Sequence, residues 1–116
     1  LAEVLTPDAY HRLDTLGARL AEGLAAIFAR HGLPWRAFRL GPRSGYCLFP
    51  DLPRTGREAS RSVDFDLINA RRVYMANRGV WDAIYSAGPQ VGLAHAEADI
   101  DRYLGLADAF LGQVVA

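Results

Sequence analysis

Apolar residues at the start of the chain recur at three- and four-residue steps. Leu13, Leu16, Leu20, Leu24, Ile27 and Phe28 therefore fall on one stripe of a long helix. Its ends are marked as clearly. Thr6 offers a side-chain oxygen at the N-cap, Pro7 suits the first helical position, and Asp8 meets the positive end of the dipole. Arg30 and His31 fill the last turn before Gly32, a left-handed stop. Roughly 25 residues at about 1.5 Å each would span nearly 40 Å. That exceeds the width of so small a domain, so part of the helix is expected to lie against something outside it.

Two short runs then suit strands, "WRAFRL" (35–40) and "GYCLF" (45–49), with "GPRS" turning the chain between them as a hairpin. Residues 50–63 are rich in Pro, Gly, Ser and Arg and read as a surface loop. A second helix is predicted from about Asp66 to Arg78, ended by Gly79, with Asp64 or Ser62 as cap. Leu67, Ile68, Tyr74 and Met75 share its apolar face. "VWDAIYS" (80–86) and "QVGLA" (90–94) read as extended runs joined by "AGP". The last helix has the cleanest period, through Ile100, Tyr103, Leu104, Ala107, Phe110, Leu111 and Val114. Gly105 and Gly112 inside it each cost about 1 kcal/mol relative to alanine. The predicted order is α-β-β-α-β-β-α: an α+β fold with a small, largely antiparallel sheet covered by helices, as one domain over 1–116.

Composition narrows the chemistry. With 51% apolar and 22% charged residues over 116 positions, the chain is globular and long enough to bury a core. Thirteen basic residues balance thirteen acids without a dense cationic stripe, which gives no support for nucleic-acid binding. No apolar stretch approaches the roughly 20 residues of a membrane span. A single cysteine, Cys47, sits in an apolar run and favours a reducing, cytoplasmic setting and inert packing. All the basic residues are arginine. Without lysine the chain has no side-chain amine for Schiff-base chemistry. It opens in mid-run at Leu1 and reads as a piece of a longer protein.

His95, Glu97, Asp99 and Asp101 invite a metal reading. On a helix Glu97 and Asp101 share a face while Asp99 points away, and neither a second histidine nor a cysteine pair completes a ligand set. The acids instead suit a first helical turn, where each stabilises the N–H groups by about 0.3–1 kcal/mol. His95 is expected as a capped or half-buried imidazole. Ser44 and Ser86 lack the setting of a serine nucleophile, and a hydrolase built from Ser86, His95 and Asp82 has the residue types without the spacing. Arg54, Arg57 and Arg61 read as solvated. Trp81 and Tyr85 suit a core or interface, and Asp82 between them needs either a partner or an opening to water.

From "RRVYMANRGVWDAIYSAGPQVGLAHAEADIDRYLGLADAFL" onward the chain resembles the C-terminal segment of class III aminotransferases, in the glutamate-1-semialdehyde aminomutase-like branch. The features are a helix ending "NRGV", an aromatic extended stretch, and "LAHAEADIDRYL" leading into the last helix. The "LTPDAYHRLDTLGARLAEGL" opening and the "RAFRLG…SGYCLF" hairpin extend the likeness over nearly the whole chain. The resemblance implies the small α+β domain of a pyridoxal-phosphate enzyme of the aspartate-aminotransferase fold. Such a domain closes the active site on a large domain that holds the cofactor lysine. The implied partners are that missing large domain, a small amino or keto substrate, and a second copy in a homodimer of the parent; nucleic acid and membrane are not implied. It also implies that the lysine-free chain is not catalytic alone, has no metal or cofactor-binding residue of its own, and lines the substrate side with Trp81, Asp82, Tyr85 and Ser86. Departures from the family pattern are Ala87 in place of a glutamate, no arginine between Arg78 and Arg102, and Ala96 in place of a capping threonine. The competing expectation is a free-standing α+β ligand-binding or protein-interaction module.

Overall fold

A computed structural model describes residues 1–84 and 88–116. Its elements are α1 (Pro7–Arg30), β1 (Arg36–Leu40), β2 (Arg43–Cys47), α2 (Gly56–Arg61), α3 (Phe65–Ala76) and α4 (Glu97–Val114). The class is α+β, with a two-stranded antiparallel sheet against helices.

The first helix forms as its pattern dictates. The Thr6 hydroxyl accepts from Ala9 N at 3.2 Å, and Gly32 adopts φ 65° just past the end. Leu16, Gly17, Leu20, Leu24, Ile27 and Phe28 are its buried positions. Between Pro7 and Thr15 nothing is fully buried, and Leu13 alone of its apolar stripe there packs against the core. Met75, Val91, Ile100, Tyr103, Ala107, Phe110 and Leu111 complete that core, which is built mainly of α1 against α4, with the hairpin and α3 packed beside them.

The hairpin turn is tighter than the sequence pattern suggests. Register runs from Arg36 opposite Cys47 to Leu40 opposite Arg43, leaving Gly41 and Pro42 as a two-residue turn. Gly41 at φ 55° supplies the leading left-handed residue such turns favour, so Arg43 and Ser44 join β2. Trp35, Tyr46 and Phe28 interlock behind it: Trp35 and Tyr46 stack at 5.8 Å between centroids, and Phe28 meets both edge-on.

Two segments depart from expectation. The polar run 50–63 contains the short helix α2. Thr55 Oγ1 accepts from Glu58 N, and the Glu58 carboxylate accepts from Arg54 N, the residue before the cap, at 2.7 Å. The second predicted strand pair reduces, among the described residues, to one antiparallel bridge between Arg43 and Gln90. Ser44 N donates to Pro89 O and Val91 N to Pro42 O, each at 3.1 Å, so this stretch flanks the hairpin. Pro89 has no N–H to extend the ladder. Residues 80–84 form no strand; Trp81 and Asp82 turn instead to α3.

Candidate functional site

The site grows from the apolar face of α3. Leu67, Arg71 and Met75 follow one another at four-residue steps, which places a guanidinium in the middle of an inward stripe. Asp64, rather than Ser62, caps this helix, accepting from Leu67 N at 3.0 Å. Ser62 is buried and donates its hydroxyl to Ala59 O.

Arg71 is 4% exposed and, among the described residues, donates two directed hydrogen bonds. Nη1 donates to the Tyr46 hydroxyl at 2.7 Å, and Nη2 donates to Asp82 Oδ2 at 2.9 Å. Asp82 is 8% exposed, so both charges of the pair are withdrawn from water. Burial works against the guanidinium charge. The phenols of Tyr46 and Tyr103 and the carboxylate of Asp82 together outweigh it, holding the Arg71 pKa above its ordinary value. Arg72, the next residue, lies with its guanidinium carbon 4.5 Å from the centre of the Trp81 ring. The indole itself remains 65% exposed.

Beside these residues opens a cleft of about 420 Å³, lined by Trp81, Asp82, Gln90, His95, Arg102 and Tyr103 among others. The Tyr103 hydroxyl is buried and has no hydrogen-bond partner among the described residues. Burial foremost pushes its pKa up; Asp82 and Tyr46 add to the rise and Arg71 opposes it. The phenol therefore stays protonated at neutral pH. Arg102 donates from Nη2 to Arg78 O at 2.6 Å, tying α4 to the end of α3.

The acid cluster resolves into structural tasks. His95 Nδ1 accepts from Gly92 N at 2.8 Å, and the His95 carbonyl accepts from Arg12 Nη2 at 2.8 Å. The Asp99 carboxylate accepts from Ala96 N at 2.8 Å, closing the start of α4 from one side, since alanine has no oxygen to return the bond. Asp101 is gripped by Arg19 of α1 through two bonds of 2.8 and 2.9 Å. That pairing holds its pKa below the ordinary carboxylate value. Glu97 lies 3.8 Å from the same arginine. No group of three potential metal ligands occurs among the described residues.

Of the predicted substrate-side residues, Trp81 and Asp82 both line the cleft, while Tyr85 and Ser86 lie outside the described residues. Ala87 does too. Asp82 is committed to Arg71, not to His95, so the Ser86–His95–Asp82 hydrolase arrangement finds no base–orienter contact. Ser44 is buried, with its hydroxyl 3.4 Å from Gly17 O, and Cys47 is a buried free thiol. Arg54, Arg57 and Arg61 are exposed. Sequence reasoning passed over Arg71 and Arg72. The available signal was a cation at the centre of the Leu67–Met75 face, with a carboxylate in an apolar run close behind it.

No family model matches the chain. The chain is 36% identical over 104 residues to glutamate-1-semialdehyde 2,1-aminomutase 2 of Brevibacillus brevis, a match covering 88% of this chain and 24% of that protein. The aminomutase 2 of Staphylococcus saprophyticus is 30% identical over 112 residues, covering 96% and 26%. A crystal structure of a glutamate-1-semialdehyde aminomutase from Pseudomonas aeruginosa PAO1 in complex with PMP superposes with a TM-score of 0.91 at 31% identity. It covers 96% of this chain and 24% of that one. A transaminase with PLP bound shares the fold at a TM-score of 0.73 and 21% identity, over 97% of this chain and 25% of its own. The chain thus spans about a quarter of the length of the relatives it matches. A free-standing module is not favoured by a likeness that covers one region of larger enzymes.

Proposed function

The chain belongs to the C-terminal region of the class III, pyridoxal-phosphate-dependent aminotransferases, in the glutamate-1-semialdehyde aminomutase-like branch, and on that premise we propose that it is the single-domain cover of a parent enzyme's active site. The parent moves an amino group between amino and keto or aldehyde compounds. The observation that carries this reading is the superposition over 96% of the chain, at a TM-score of 0.91, on an aminomutase in complex with PMP.

The chain itself does not fit the cofactor: it has no lysine, so covalent attachment falls to a residue of the large domain. Its own part is to wall the substrate side, through Trp81 and Asp82 at the cleft, with Tyr85 and Ser86 proposed for the same role. Ala87 in place of the branch's glutamate favours amino transfer over aminomutation, and the lack of an arginine between Arg78 and Arg102 leaves α-carboxylate recognition to other parts of the parent. The parent works as a homodimer on a small amino or keto compound. The buried free thiol of Cys47 supports a cytoplasmic location.

Absorbance tests the reading. The 116-residue chain mixed with pyridoxal phosphate should develop no lysine-bound cofactor band, whereas the full-length parent should. A lysine-bound band from the short chain, or none from the parent, would overturn it.

A further inference from the structure

Arg71 and Arg72 are neighbours on α3, about 100° apart around its axis. The residues they hold, Asp82 and Trp81, are also neighbours. One arginine reaches inward, donating to the Asp82 carboxylate at 2.9 Å while its other arm bonds Tyr46 of the hairpin. The next arginine lies over the Trp81 indole, 4.5 Å from its centre. A single turn of helix therefore fixes both residues of the cleft wall from two directions. Its inner arm is anchored to β2 as well.

We infer that Arg71 and Arg72 are positioning residues, which together set where Trp81 and Asp82 stand in the substrate-side wall of the cleft. This rests on the reading that the wall faces substrate. Asp82 Oδ2 is already taken by Arg71, while Trp81 keeps most of its surface exposed. What the clamp presents to an incoming amino compound is thus an aromatic surface rather than a free carboxylate. Neither arginine is among the residues lining the cleft; both act through the residues they hold.

The test uses the full-length parent and two readouts. In steady-state kinetics with an amino donor, Arg72→Gln should raise KM on the order of tenfold with kcat held within about twofold. Arg72→Lys, which keeps a cation over the ring, should recover most of the loss. Arg71→Met should act in the same direction, with Arg71→Lys recovering part. If Arg71→Met does not fold, the partly exposed Arg72 decides alone. An unchanged KM in folded variants, or a fall in kcat that tracks thermal stability, would assign the arginines to structure only and overturn the inference. Amide hydrogen exchange across residues 80–84 separates this from failure of the functional reading. Exchange should quicken in Arg72→Gln whatever the parent catalyses, and unchanged exchange overturns the clamp. Absence of amino transfer by the unaltered parent overturns the assigned reaction instead.

Discussion

Tyr103 carries a buried hydroxyl that finds no acceptor among the described residues, an arrangement that costs about 1–3 kcal/mol of desolvation. Replacing it by phenylalanine keeps the ring in the α1–α4 core and removes the orphan, so Tyr103→Phe should stabilise the chain by about 1 kcal/mol. The pH dependence follows from the raised pKa. The fold favours the neutral phenol, so its contribution is full below the ordinary phenol pKa of about 10 and is lost as pH rises through the higher folded value. Chemical denaturation should show an alkaline loss of stability in the unaltered chain that is smaller in Tyr103→Phe; equal loss in both would contradict the assignment. At the same scale, the need of Asp82 for a partner was readable from its apolar neighbours. The partner was not. Arg71 stands eleven residues from Asp82, and Tyr46, the second acceptor of Arg71, lies twenty-five residues from that arginine, distances over which no local period reports contact.

Among the elements, helices were the most legible because stripe, cap and stop all lie within a few residues of one another. The cap of α1 at Thr6 and of α3 at Asp64 follow from side-chain oxygens placed before apolar stripes. The short α2 carried the same mark, Thr55 followed three residues later by Glu58, but no apolar stripe follows it and its composition reads as loop. Strands were less legible. The hairpin was visible, whereas the second pair shrank to one bridge beside Pro89. How elements approach one another is a tertiary matter, and Gly17 shows it. A Cβ there would stand 2.5 Å from Gly41 O and 3.0 Å from Pro42 Cα, both backbone atoms that cannot swing aside. Gly17→Ala should therefore destabilise the chain by about 1–3 kcal/mol despite alanine's better helix propensity. A raised thermal midpoint for this variant would show that the helix and the hairpin turn can part freely.

The whole molecule measures 45 × 34 × 23 Å, with a 24-residue helix whose first turns bury nothing fully. Exposed apolar side chains are spread along the chain, including Leu40 of β1 at 81% and Trp81, beyond the end of α3, at 65%. Such surface is costly in water unless covered, and the proposed cover is the rest of the parent. Solution scattering should find the isolated chain associating as concentration rises. A compact, monodisperse monomer at every concentration would argue instead for an independent unit.

Taken alone, the sequence determined the three long helices, the Thr6 cap of α1, the α+β class, the hairpin, and the lack of any side-chain amine for a covalent cofactor bond. Each of these depends on residue identity or on a period spanning a few positions. Only the tertiary structure decided that Asp101 belongs to Arg19, that His95 serves Gly92, and that Arg71 and Arg72 hold the cleft wall. Such pairings depend on which surfaces meet when α1, α3, α4 and the hairpin close on one core, and the packing of distant segments leaves no periodic trace along the chain.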